Sequence, residues 1–146
     1  PVAHKDWVWA KETLLLDALI AKKKDVEVEV QAIQVGPVVC LSNPAEYFVS
    51  YGLQLKKRSG FPMTFPVELA NGCVGYVPDE EAFGPNGGGY ETRLTSYSNL
   101  EITAGTQFMN VGLELAAKMK PAKLPERPNG PIGKPWAYGD QPPQLK

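Results

Sequence analysis

Histidine is nearly absent: the 146-residue chain has one, His4. By itself it cannot supply a metal site that needs two or three imidazoles, and a Ser-His-Asp triad would have to be built on it. Cysteine is almost as scarce. Cys40 and Cys73 are too few for a disulfide framework or a thiolate metal cluster. An excess of positive charge is also missing, since 15 Lys and Arg face 16 Asp and Glu for a net charge of -1. That argues against a dedicated nucleic-acid surface and against attraction to an anionic membrane. Apolar runs such as Leu14-Leu15-Leu16 stop far short of the ~20 residues that a membrane-spanning helix needs. No internal repeat and no signal-peptide pattern is visible. The chain opens on Pro1 and not on Met, which reads as a fragment or a processed product.

What is present is an ordinary globular composition, 43% hydrophobic and 21% charged, enough for one domain or part of a larger one. Glycine and proline number 14 each, so much of the chain is turn and loop. Residues 7–22 show helical spacing, with Val8, Leu15 and Leu19 on one face, and Lys22, Lys23 and Lys24 suit the negative end of that helix. Residues 26–35 alternate with period two through Val26, Val28 and Val30, the pattern of a half-buried strand. Gly36-Pro37 then turns the chain into a second, antiparallel strand, Val38 to Leu41.

Asn43-Pro44 has the residue types of a helix N-cap and first helical position. The spacing predicts a helix from there to about Lys57, with Phe48, Tyr51, Gly52 and Leu55 facing inward and Lys56, Lys57 and Arg58 at its end. Residues 63–70 read as a buried strand, 84–89 as a Gly-rich loop, and 104–119 as a helix with Ala104, Phe108, Val111, Leu115 and Met119 on one stripe. The order of elements predicts an α/β or α+β fold, a mixed sheet with flanking helices. Seven of the last 26 residues are proline, which excludes regular helix or sheet from 121–146. Trp136 and Tyr138 predict that this tail packs along a surface.

Three stretches carry polar groups at the expected strand ends: 42–46, 71–78 and 89–97. Each residue has a structural reading beside a chemical one. Behind an Asn43 cap, Glu46 is the third helical residue, where a capping-box carboxylate belongs; it is also a candidate ligand or catalytic carboxylate. Tyr76 is either a packed strand-end tyrosine with a bonded hydroxyl or a functional phenol. The triple glycine 87–89 lacks the Lys-Ser/Thr of a phosphate-binding loop. His4 reads as exposed, and the two cysteines as buried thiols, with a disulfide as the alternative if their strands are neighbours.

Taken together, Pro44-Ala45-Glu46, then Asn71-Gly72-x2-Gly75-Tyr76-Val77-Pro78, then Tyr90-Glu91-x3-Thr95-x-Tyr97, resemble the neutral/alkaline non-lysosomal ceramidase family. The likeness runs over about residues 26–118. Position 45 is Ala where that family has Gly, and the Glu46-to-Tyr76 spacing is shorter. The resemblance implies that residues 1–120 are the C-terminal portion of a ceramidase-like catalytic domain, with 121–146 a Pro-rich tail. It implies part of a zinc-dependent amidohydrolase that cleaves the N-acyl amide bond of ceramide or a related lipid. Glu46 and Tyr76 would be metal ligands on one zinc ion, and Tyr90 and Tyr97 would lie at the catalytic, substrate-facing side. The two zinc histidines and the participating serine would come from an N-terminal segment, as a second chain or a missing part. The resemblance also points to secretion or the periplasm. The contrasting reading is a non-catalytic binding or assembly module that keeps the fold without metal, which the single histidine motivates.

Overall fold

The computed structural model describes residue 2 and residues 4–126. The part of the tail that carries Trp136 and Tyr138 lies outside the described residues.

The first sheet is organised by the expected hairpin. Strands β1 (Gln31–Val35) and β2 (Val38–Ser42) pair antiparallel with Val35 opposite Val38, so the turn is two residues long. Gly36 takes the first turn position at φ 59°, where a side chain would be strained. Pro37 fixes the next φ near its ring value, which matches a hairpin turn that needs a positive φ only at its first centre. Beyond β2 and a further short strand, β3 (Glu46–Tyr47), comes helix α2 (Val49–Arg58). It leads into β4 (Met63–Val67), which lies parallel to β2. A parallel partner requires such a crossover, because a tight turn cannot reverse the chain twice. The sheet order is β1-β2-β4, so β4 is an edge and tolerates Pro66, which has no N–H to offer. A second ribbon pairs β3 with β5 (Tyr76–Val77) in parallel. Glu80–Phe83 forms one 3-10 turn capped by Asp79, whose carboxylate accepts from Ala82 N–H at 3.0 Å.

Helix α3 (Ala104–Ala117) crosses the same sheet face as α2, and the two helices touch each other. The core between them is Val39 and Leu41 from β2, Tyr47, Tyr51, Leu55 and Phe61, then Phe108, Met109 and Ala116 from α3. Each fully buried aliphatic or aromatic side chain there contributes about 1.5–3 kcal/mol against exposure. Tyr47 and Tyr51 stack with ring centroids 4.5 Å apart, and the Tyr47 hydroxyl donates to Gly105 C=O at 2.5 Å. Gly105 leaves room for this: a Cβ there would run into the Tyr51 ring. Ser59 and Thr64, both buried, bond each other at 2.7 Å and tie the end of α2 to the start of β4.

The fold is therefore α+β with a mixed sheet and, among the described residues, three α-helices, as the pattern predicts. Several details differ. Helix α1 (Lys5–Ile20) starts and ends two residues early, so Lys22, Lys23 and Lys24 lie beyond its last turn. Its expected inner face is not buried: Val8, Leu15 and Leu19 are exposed and Leu16 is the covered residue. The apolar side chains of α1 spread around the axis, so no single face commands packing. The expected strand begins only at Gln31, because β2 ends at Ser42 and offers residues 26–30 no partner. Val28 and Val30 nonetheless point to the core, as the alternation requires.

The helix expected from Asn43 begins only at Val49, with Phe48 as N-cap. Asn43 makes a local turn instead, its side-chain oxygen accepting from Ala45 N–H at 3.0 Å. Its backbone is committed to a distant segment through Asn43 N–H to Val67 C=O and Ala70 N–H to Asn43 C=O, both 3.0 Å. Non-local strand pairing overrides the capping pattern, and Glu46 is a strand residue with no capping role. β4 stops at Val67 and is exposed on one face. The buried stripe of α3 runs Ala104, Gly105, Phe108, Met109, Gly112, Ala116, which leaves Val111 exposed. Gly105 faces Tyr51 of α2, and Gly112 faces Leu55 of α2 and Leu41 of β2, where the helix sits close.

Candidate functional site

The three polar stretches converge at the β3–β5 ribbon. Val74 N–H donates to Pro44 C=O at 2.9 Å, Glu46 N–H to Gly75 C=O at 2.9 Å and Phe48 N–H to Val77 C=O at 3.3 Å. This register sets Glu46 directly beside Tyr76, and both side chains are half-buried. Parallel neighbours in register project to the same face, so a carboxylate and a phenol stand side by side.

The third stretch closes over them. The Tyr76 ring meets the Tyr90 ring edge to face, centroids 5.3 Å apart and planes at 82°. The Tyr76 hydroxyl sits against the Tyr90 hydroxyl and the Glu46 carboxylate, and these two neighbours, Tyr90 first, push its pKa well up. The phenol is thus firmly protonated at neutral pH. Tyr97 joins through its backbone, which abuts Gly75, while its side chain is 55% exposed. Tyr90 is 58% exposed on its open side. A cavity of about 20 Å³, room for one water, lies behind Tyr76 between Val77, Phe83, Arg93 and Leu94.

Thr95, which stands in the third motif without a role assigned to it, and Ser98, which no motif included, hold this arrangement. Thr95 and Ser98 are both buried. Thr95 N–H donates to Ser98 C=O at 3.0 Å, and the Thr95 hydroxyl accepts from Ser98 N–H at 2.9 Å, which closes a four-residue turn. The Ser98 hydroxyl then accepts from Tyr76 N–H at 2.9 Å. The signal was available as Thr-x-x-Ser, a hydroxyl turn pattern. Gly75 makes the approach feasible. At φ 73° it bends the chain just before Tyr76, and a Cβ there would collide with Tyr97 C=O and the Ser98 hydroxyl.

Helix α1 braces the same segment from outside. Ser96 donates to the Glu12 carboxylate from its hydroxyl at 2.5 Å and from its N–H at 3.2 Å. The hydroxyl, then the N–H, hold the Glu12 carboxyl below its ordinary pKa. The Arg93 guanidinium lies 5.0 Å from the centroid of the Trp9 ring, within cation–π range.

Other candidates stand apart. His4 is exposed and caps α1, its ring accepting from Asp6 N–H at 3.4 Å. Both cysteines are free thiols; Cys73 is exposed and Cys40 half-covered, so neither is the buried thiol that the sequence suggested. Among the described residues no group of three or more His, Cys, Asp or Glu is placed to hold a metal. No helix among them is long and apolar enough to cross a membrane.

No protein-family model and no curated protein sequence matches the chain. A solved structure described as a ceramidase complexed with C2 is similar to it, with a TM-score of 0.50 and 17% identity over 66% of this chain. At that identity the likeness is one of fold, and the fold is ceramidase-like. The chain covers 16% of that ceramidase's length.

Proposed function

We propose that this chain is the C-terminal portion of a zinc-dependent amidohydrolase that cleaves the N-acyl amide bond of ceramide or a related lipid, the rest of its site lying on an N-terminal segment. The observation that carries the reading is the in-register pairing of Glu46 with Tyr76, with Tyr90 packed on the phenol, in a ceramidase-like fold. A carboxylate and a phenol are two oxygen donors of the kind zinc accepts. They make half of a four-coordinate set, and two histidines of the N-terminal segment would complete it. A zinc ion bound there supplies polarisation of the amide carbonyl and a water acidic enough to ionise at neutral pH.

The residues of this chain have separate tasks. Glu46 is free of capping and strand β3 fixes its backbone, so its carboxylate is available as a ligand. Tyr76 keeps its proton in the metal-free chain, and binding a cation at the pair would displace that proton. The Tyr90 ring packs on Tyr76 and the residue is exposed, so its hydroxyl would be free to donate to the negative oxygen that develops on the amide. Tyr97, exposed at 55%, would lie near the substrate. A serine on the N-terminal segment would take part in cleavage.

The test is to co-express the chain with the polypeptide encoded upstream of Pro1, then measure bound zinc and hydrolysis of ceramide and of N-acyl amino acids. Glu46→Ala should lose zinc and amidase activity, and Tyr76→Phe should weaken zinc binding at least about tenfold. Full zinc and full activity in Glu46→Ala would refute the assignment. A folded wild-type complex that takes up no zinc would leave the non-catalytic binding or assembly module.

A further inference from the structure

The β1-β2-β4 sheet has one face under α2 and α3 and another that no element among the described residues covers. Register puts Ile33, Cys40 and Phe65 in one row across the bare face and Val35, Val38 and Met63 in the next. No charged residue occupies either row. Val35 is 69%, Ile33 56% and Phe65 48% exposed. With Met63 and Val67 the exposed apolar area is on the order of 500 Å², the size of the largest patch on a typical monomer, which is often a functional one.

From this face we infer an interface: the bare sheet is where the N-terminal segment of the proposed hydrolase packs, laying an uncharged, apolar layer of its own across Ile33, Val35, Met63 and Phe65. The inference rests on the functional reading above. Three observations select this occupant. The face carries no charge, so its partner needs none, which excludes nucleic acid and anionic lipid headgroups. A second copy pressed face to face would bury about 1,000 Å² in total, the lower limit for a stable interface. Such a dimer would also leave α1 bare. That helix leaves Trp7, Leu14, Leu15, Leu19 and Ile20 exposed among its charged residues, Leu14 at 73%, a second apolar surface that the dimer would not cover. Finally, the ceramidase of like fold is a chain of which this one spans 16%.

The test uses the tagged chain co-expressed with the polypeptide encoded upstream of Pro1. The wild-type chain should hold it one-to-one through size-exclusion chromatography. Phe65→Lys combined with Ile33→Lys should weaken the complex at least about tenfold, because two unpaired charges would be buried. Far-UV circular dichroism of the variant chain alone should not change, since both side chains are solvated there. Hydroxyl-radical labelling of the wild type gives an independent readout: Met63 and Phe65 should be reactive in the lone chain and protected in the complex. A double variant that still holds the partner, Met63 labelling that the partner leaves unchanged, or a lone wild-type chain that dimerises through this face without binding the partner would each overturn the inference. Glu46→Ala separates the two readings. It should keep the complex while losing zinc; a wild-type complex seated on the sheet without zinc would defeat the enzyme and leave the interface standing.

Discussion

Gly75 is where the backbone of the candidate site is under the tightest steric constraint, and replacing it by alanine gives a quantity that can be worked out. Two penalties apply. The residue sits at φ 73°, where an L side chain costs about 1–2 kcal/mol. The new Cβ would also meet Tyr97 C=O and the Ser98 hydroxyl, with no open space to relax into, and overpacking of this kind costs typically 1–3 kcal/mol. The sum is about 2–5 kcal/mol, a large part of the ~5–15 kcal/mol that holds a domain folded. Gly36→Ala is the control. It has a similar φ of 59° and nothing within 4 Å of its Cβ, so only the conformational penalty applies. Urea unfolding at equal slope separates the two. Gly75→Ala should lower the midpoint by roughly 1 M more than Gly36→Ala, taking about 2 kcal/mol as the contact component and about 1.5 kcal/mol per M as the slope. Equal midpoints would mean that the 95–98 turn does not rest on Gly75, and the account of how Tyr76 is held would fail.

Two glycines of α3 should respond in opposite directions. Gly105→Ala drives a Cβ into the Tyr51 ring and should destabilise by about 1–3 kcal/mol, whereas Gly112→Ala meets Leu55 and Leu41 at ordinary contact distance and should gain about 0.5–1 kcal/mol of helix propensity; thermal unfolding reads both. Tyr51→Phe should be neutral or stabilising by about 1 kcal/mol, because the buried Tyr51 hydroxyl has no hydrogen-bond partner among the described residues. Glu12 anchors α1 more strongly when ionised, because Ser96 donates to its carboxylate twice. A carboxyl depressed in the folded state adds stability above its unfolded pKa of about 4.3 and loses it as pH falls through the lower folded value. Tryptophan fluorescence should therefore show α1 loosening below pH ~4, and Glu12→Gln should remove that acid transition.

Local patterns were legible wherever local forces decide the outcome. The β1–β2 hairpin follows from alternation on both sides of Gly36-Pro37, since a positive-φ residue followed by proline has few other uses. The extents of α1 and α3 were readable to within a few residues, as was the inner face of α2, where Tyr51 and Leu55 are buried. The face that α3 buries was not. A stripe counted from large apolar residues pointed to Val111, but close packing on α2 favours the small residues Gly105 and Gly112, and that packing depends on Tyr51 and Leu55 in another helix. Asn43-Pro44-x-Glu46 is a good helix start in isolation; its backbone groups have stronger partners at Val67, Ala70 and Gly75.

For the candidate site, the residue types and their order along the chain carried the resemblance to ceramidases, because a carboxylate and tyrosines beside glycines and prolines keep their chemical character in any fold. Their arrangement in space was beyond one dimension. Whether Glu46 caps a helix or stands beside Tyr76 depends on which of two backbone pairings wins. That contest is settled by hydrogen bonds between segments some thirty residues apart in sequence, about the separation of Glu46 from Tyr76. The amino-acid sequence by itself determined the hairpin, the inner face of α2 and the residue types that gather at the candidate site. The register of β3 on β5, the closing of the Thr95–Ser98 turn over Gly75 and the bare face of the sheet were decided only on folding, because each arises from contacts between segments distant in sequence.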